Sequence, residues 1–399
     1  MASEEIKQII DDTINQYSDE LRSMSLDIHD HPEGGNKEYR ASKILTEFLE
    51  KEGFKVTRGV VGLETAFTAE YTNGEPGRRV GFCSEYDALP GIGHGCGHNL
   101  IAISGVACAL AIKKLLVNRL LSGSVTLFGT PAEETSNAKV KFVETGEIQR
   151  LADFAMMLHP GPASGCFGNY LALDSITVEY FGRQSHAGAS PWDGINAVDA
   201  LMQGFDNIGM MRQQTLPTNR IHGIIQKGGE SPNVIPNYAS AYFFARSVTR
   251  GQLDYLKVQV ENCFKAAAIA SGCEIKMTWA PDRLDDVFTN EEFAYNWREH
   301  MKKEGFSFVT RIEEETSIFS GSTDMGNVTY ALPGIHAGYD IGTDAANHTV
   351  EFTDAAATSE AHEKTLAASR CLALTAADVF QDDDLYNRAV AYFKKGKGQ

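Results

Sequence analysis

The stretch RRVGFCSEYDALPGIGHGCGHNLIAISGVACALAIKKLL, Arg78–Leu116, followed shortly by SVTLFGTPAEE, Ser124–Glu134, decides the fold. Its first part clusters β-formers and stops at Pro90, and after a glycine-rich turn Asn99 can cap a helix through Leu100–Leu116. Ser124–Glu134 then reads as a buried strand ending at Pro131. Strand, helix and strand in that order imply an α/β sheet. The apolar run Ile101–Ile112 contains Ser104 and runs into Lys113 and Lys114. It therefore falls short of the ~20 residues that a bilayer span needs, and no membrane partner is expected.

Upstream, Ile6, Ile9, Ile10, Ile14, Tyr17, Leu21 and Met24 recur at three- and four-residue spacing, which predicts one amphipathic helix from about Ser3 to Ile28. Residues 38–53 repeat the pattern and place Gly53 as a helix C-cap. FKVTRGVVG and TAFTAEYTNG then read as strands. From about Leu171 the character changes. DSITVEYFG, the segment 190–211, RIHGIIQKGG, YASAYFFARSV, the segment 251–272 and EIKMTWA give a β-α-β-β-α-β series, the pattern of a ferredoxin-like α+β domain. The predicted partition is a catalytic domain in two parts, residues 1–173 and 284–399, around an inserted domain of residues 174–283. A final helix is expected from about Thr353 to Phe380, followed by a lysine-rich tail.

The whole chain of 399 residues suits two domains, and its 43% hydrophobic and 22% charged residues are those of a folded, soluble protein. Lys and Arg number 36 against 53 acids, a net charge of −17 that works against a nucleic-acid partner. The acidic start MASEEIKQII lacks a secretory signal, and seven cysteines without regular spacing do not form a disulfide framework, so a cytoplasmic location is expected.

Three places combine groups that bind metals. In His94-Gly95-Cys96-Gly97-His98, residues two apart point the same way in extended backbone, so Cys96 and His98 can address one ion. A glycine-rich turn with incidental histidines gives the same pattern. At Pro131–Glu134, neighbouring carboxylates diverge, so one can hold a metal while the other addresses a water; a solvated acidic helix start is the alternative. His159 in MMLHP and His348 in NHTVEF each end an apolar strand-like run or start a capped helix, the usual place for functional groups in open α/β sheets, although a lone histidine there is more often structural. A Cys, three His and a Glu together suit zinc or a similar transition metal.

The series IHDHPEGGNKEYRAS, EYDALPG, GCGHN, PAEE, LHP, SHAGASPWDGINA, GGESPNVIP, GSTDMGNV, PGIH and NHTVEF spans nearly the whole chain. In that order it resembles the metal-dependent aminoacylase and glutamate-carboxypeptidase type of amidohydrolase. The branch is that of the indole-acetyl-amino-acid hydrolases and aminobenzoyl-glutamate hydrolase, and EYDALPGIGHGCGHN looks closest to β-alanyl-lysine dipeptidase-like members. The resemblance implies a two-domain metallopeptidase-like fold, in which a mixed-sheet α/β catalytic domain carries the ferredoxin-like insert as lid and dimerisation surface. It implies a homodimer and two divalent ions per chain (Zn, Mn, Ni or Co), with Cys96, His98, Glu134, His159 and His348 as ligands.

By the same match Glu133 is the general base for a metal-activated water, and Glu85 is the acid behind a metal ligand. His186 stabilises the oxyanion, and Asn233 and Arg246 hold the substrate's amide and carboxylate. His94 is a neighbour of the site rather than a ligand, and Asp324 and His336 lie near it without an assigned role. The implied reaction is hydrolysis of the amide bond of an N-acyl, N-aroyl or aminoacyl amino acid. The alternatives are a hydrolytic deaminase of a small aromatic amine and a non-catalytic metal-binding relative. Three departures stand out: Asn99 replaces an aspartate, Ser136–Lys139 (SNAK) replaces a glycine-rich loop, and Phe244 replaces an acid two positions before Arg246. They bear on the substrate pocket more than on the metal site.

Overall fold

The computed structural model describes residues 3–74, 76–317 and 321–396. Five strands come first: β1 (Lys55–Arg58), β2 (Phe67–Thr72), β3 (Arg78–Ser84), β4 (Gly123–Gly129) and β5 (Phe154–Gly161). Four follow in the region of changed character: β6 (Ala172–Phe181), β7 (Arg220–Lys227), β8 (Tyr238–Ser247) and β9 (Glu274–Trp279). The tenth, β10, is Gly334–Asp340. The chain divides into two compact units, one of residues 1–169 and 287–399 and the other Tyr170–Asp286.

The first unit holds a mixed sheet in the order β1-β2-β4-β3-β5-β10. β3, β4, β5 and β10 run parallel, and β2 is antiparallel to β4 and β1. Its central strands are buried on both faces, which is why they read as continuous apolar runs. Phe154, Met156 and Leu158 of β5 enter one core with the helix His98–Val117, while Ala155 and Met157 enter the other with Phe142, Ile148 and Val328. The helix His98–Val117 is apolar all round from Leu100 to Ile112. At 20 residues it is long and apolar enough to cross a membrane, but 83% of its most apolar stretch is buried inside this unit. A core helix packed on every side needs no polar face.

Local chemistry corrects several boundaries. The opening helix is two, Glu4–Gln16 and Ser18–Asp30, broken at Tyr17, whose hydroxyl reaches Glu52 and whose ring meets Phe48 edge-on at 5.9 Å. Gly53, at φ 80°, ends the helix Tyr39–Lys51 with the bonds Gly53 N–H to Glu50 O and Phe54 N–H to Leu49 O, a Schellman motif. FKVTRGVVG keeps only β1 as strand, because Gly59 at φ 67° turns the chain. Asn99 does not cap its helix. It lies inside the first turn, where its amide donates to Ser25 Oγ and Ala356 O at 3.0 and 3.1 Å. The expected final helix is also divided, into Val350–Ala356 and Ser359–Gln381, because Thr358 caps the second through Ala361 N–H. The lysine-rich tail belongs in part to a further helix, Asp383–Gly396.

The second unit is an antiparallel sheet, β7-β8-β6-β9, with the helices Ala197–Met211 and Arg250–Ser271 packed on it. Ile176, Val178 and Tyr180 alternate along β6 and Ala239, Ala241, Phe243 and Ala245 along β8, and all face Leu253, Leu256, Val260 and Phe264. This is the ferredoxin-like order that β-α-β-β-α-β predicts. The unit begins at Tyr170 and ends at Asp286, against the 174–283 read from the sequence.

Candidate metal centre

In an open parallel sheet, groups collect where strands end and the chain leaves to opposite sides. Here β3 lies between β4 and β5, and the C-terminal end of β5 and the chain that follows β3, β4 and β10 carry the candidate ligands. After β3 the chain turns through His94–His98. Gly97 has φ 73°, and a Cβ there would come within 2.6 Å of Pro160 Cγ, so only glycine fits between Cys96 and His98. After β4, Ala132 stands at φ 58° and is followed by Glu133 and Glu134. His159 lies near the end of β5. His348 sits at φ 67° and its N–H donates to Gly95 O at 2.8 Å, which ties the loop after β10 to the turn after β3.

These loops bring ligand atoms within 4.8 Å of one another in three groups: Cys96, His98 and His159; Cys96, Glu134 and His348; Glu85, His98 and Glu133. Cys96 is shared by the first two, and its Sγ lies 3.4 Å from His159 Nε2. Glu133 and Glu134 thus diverge to different partners. His98 Nε2 and Glu85 Oε2 are buried in ion-pair contact 3.3 Å apart, and Glu134 Oε1 lies 3.2 Å from His348 Nε2, yet among the described residues none of His98 Nε2, Glu85 Oε2 and Glu134 Oε1 makes a well-aligned hydrogen bond. Buried polar atoms without partners are costly, and a cation among these N, S and O donors satisfies them. The residues present therefore fit a divalent transition metal.

The charges point the same way. Burial alone would raise the Cys96 thiol, but His159, His348 and His98 carry it down to about 5. Contact with Cys96 and Glu134 lifts His348 to about 10. Burial opposes the charged form of His98, yet Asp87 holds it well above the usual histidine range. Burial likewise opposes the charged form of Glu134, which contact with His348 and the charge of His98 keep below the usual range. A cation entering the cluster displaces the protons these groups share.

One assignment needs correction. The acid behind the candidate ligand His98 is Asp87, not Glu85: Asp87 Oδ1 lies 3.1 Å from His98 Nδ1, and its Oδ2 accepts Glu134 N–H at 3.0 Å. One buried carboxylate therefore orients two of the candidate ligands. Glu85 instead pairs with Lys139, a fully buried lysine whose Nζ also meets Asp324 Oδ1 at 2.5 Å. Lys139 comes from SNAK, so that departure reaches the metal centre itself. Burial, then Glu85 and Asp324, push the Glu133 carboxyl well above the usual range. His336 meets His159 edge-on at 5.3 Å, and burial holds it well below the usual histidine range. His94 turns away, with Nε2 3.0 Å from Ile28 O.

Asp87 lies in the same EYDALPG run as Glu85. Two acids two residues apart point to one side of an extended chain, so spacing does not tell which meets the ring. Lys139 carried no signal beyond the unusual SNAK.

Three expected residues stand in the second unit. His186 and Asn233 are neighbours: His186 bridges to Val234, and Ala187 N–H donates to Asn233 O at 3.0 Å. His186 Nδ1 accepts from the N–H groups of Gly188 and Ala189 at 3.2 and 3.0 Å, so in the neutral ring the proton sits on Nε2. Arg246 lies on β8, with its guanidinium 5.7 Å from the Phe244 ring centre.

Residues 173–271 match the peptidase dimerisation domain family. Over 94% of its length the chain is 38% identical to the Xaa-Arg dipeptidase of Mus musculus, covering 89% of that protein. It is 26% identical to one subunit of the p-aminobenzoyl-glutamate hydrolase of Escherichia coli K12, over 96% of this chain and 93% of that relative. A solved Bacillus subtilis structure, described as a dinuclear metal-binding peptidase of the M20 family, superposes with a TM-score of 0.71 at 21% identity, covering 92% and 99% of the two chains.

Proposed function

Because the chain belongs to the M20 peptidase family and is an amide-bond hydrolase, we propose that it is a dipeptidase holding two divalent ions through Cys96, His98, Glu134, His159 and His348. The observation that carries this is the convergence of those five residues, with buried His98 Nε2 and Glu134 Oε1 making no well-aligned hydrogen bond among the described residues. Zinc, manganese, nickel or cobalt bound there would polarise the scissile carbonyl and acidify the attacking water.

The chain's own groups do the rest. Asp87 fixes the His98 ring and the Glu134 backbone. Glu133 takes the proton from the attacking water and returns it to the leaving amine, a role suited to a carboxyl whose proton affinity is raised by burial and by Glu85 and Asp324. His186, with its proton on Nε2, donates to the negative charge that develops on the carbonyl oxygen. Asn233 and Arg246 bind the substrate's amide and its free carboxylate.

The substrate we propose is a dipeptide with a C-terminal arginine or another basic residue. The mouse relative's name supports this, and so does the net charge of −17, which attracts a cationic side chain. The proposed assembly is a homodimer through the second unit, supported by the dimerisation-domain match and by the exposed edge strand β7. A cytoplasmic setting completes the reading: all seven cysteines are unpaired, and Cys96 must stay reduced to bind metal. The test is a screen of metal-reconstituted protein against Xaa-Arg, Xaa-Lys, N-acyl and aminobenzoyl substrates, reading the released amine. Highest kcat/KM on basic dipeptides is the expected result; turnover of acyl or aroyl substrates alone would overturn the substrate assignment.

A further inference from the structure

The stretch 28–42, IHDHPEGGNKEYRAS, belongs to the motif series but supplies no ligand. Its Glu38 is fully buried at the start of the helix Tyr39–Lys51. Oε1 accepts the N–H groups of Asn36 and Ala132 at 2.9 and 2.8 Å, and Oε2 accepts the Thr65 hydroxyl at 2.8 Å. Ala132 is the residue at φ 58° immediately before Glu133 and Glu134. A side chain with a Cβ rarely adopts that backbone state, so it persists only where surrounding contacts hold it. The carbonyl of Ala132 is held from within the turn, by the N–H groups of Thr135, Ser136 and Asn137 at 3.2, 3.0 and 2.8 Å. Its N–H is held from outside, by Glu38 alone among its hydrogen bonds to described residues.

The same stretch is shaped for this approach. A Cβ at Gly35 would collide with Thr135 and press on Ala132, and Asn36 donates to Ser136 Oγ at 2.7 Å.

We infer that Glu38 is a positioning residue, whose carboxylate holds Ala132 in the left-handed turn that sends Glu133 and Glu134 to different sides of the metal centre. If Ala132 relaxes to negative φ, the next two side chains swing with the backbone, and Glu134 leaves Cys96 and His348. This rests on the reading of Glu134 as a ligand and Glu133 as the base.

The test measures Zn2+ affinity of the full-length protein by competition titration, together with kcat and KM on an Xaa-Arg dipeptide. Glu38→Ala should bind Zn2+ about 10–100-fold more weakly, as loss of a partner behind a ligand does, and should lower kcat more than it raises KM. Glu38→Gln should behave as wild type, because the amide oxygen can accept both N–H groups while its NH2 faces the Thr65 hydroxyl. Adding Ala132→Gly to Glu38→Ala should recover most of the lost affinity, since glycine takes the left-handed state freely. Ala132→Val with Glu38 intact should reproduce the loss, and it carries the test if Glu38→Ala does not fold. Wild-type Zn2+ binding in Glu38→Ala or Ala132→Val overturns the inference, as does a loss that Ala132→Gly leaves unchanged. A Glu134→Ala control separates the two claims: if it binds Zn2+ as wild type, the ligand reading falls and this inference with it. If only the Glu38 variants bind normally, this inference falls alone.

Discussion

The first unit buries charge, whereas the second leaves apolar side chains in water. In the first, Glu85, Asp87, His98, Lys139 and Asp324 are all buried, and each meets an opposite charge or a hydrogen-bond partner. In the second, Ile224 and Ile225 on the edge strand β7 are 64% and 47% exposed, and Tyr255, Val258 and Ile269 stand out from the helix Arg250–Ser271. Each arrangement is unfavourable taken alone, because buried charge costs solvation and exposed apolar surface costs ordered water. The contrast teaches where each unit expects company: the first around ions inside its loops, the second across a surface that another protein can cover.

Three substitutions test that contrast, in descending order of effect. Lys139→Met strands Glu85 and Asp324 in the interior, and breaking a buried ion pair from one side costs about 3–5 kcal/mol. Urea unfolding should show that loss in the first unit, and an unchanged midpoint would mean that the buried charges are not mutually dependent. Asp87→Asn keeps its shape but can no longer accept from both His98 and Glu134. Metal affinity should fall about 10–100-fold, and unchanged affinity by calorimetry would remove Asp87 from its role. Ile224→Lys on β7 should shift folding stability by no more than about 0.5 kcal/mol, the usual range at an exposed position. Sedimentation should nonetheless show dimer giving way to monomer; a dimer that persists at the same concentration would move the interface elsewhere.

Much of this was legible from residue patterns. The strand, turn, helix and strand of Arg78–Glu134 carry their own punctuation, so the α/β sheet followed, and the β-α-β-β-α-β series announced the second unit. The gathering of Cys96, His98, Glu134, His159 and His348 was legible through the motif series, because each motif lies on, or in the chain that follows, the C-terminal end of a parallel strand. What stayed hidden depends on side chains meeting across the sheet. Asp87 and Glu85 both follow β3 on the same run of chain, and only the position of Lys139, dozens of residues later, pulls Glu85 aside. Glu38 reads locally as a helix start, while its partner Ala132 follows a different strand. The break at Tyr17 was missed because an unbroken apolar repeat runs through it, and tertiary contact with Phe48 and Glu52 overrides the repeat.

The central claim is that the loops after the parallel strands divide their labour, Glu134 holding metal and Glu133 moving the proton. Its most direct test is Glu133→Gln, with metal content, thermal midpoint and turnover measured on the same preparation. We predict wild-type metal content and melting with turnover reduced by about 10²–10⁴-fold, the range for loss of a general base. Turnover near the wild-type rate, or loss of the bound metal, would contradict it.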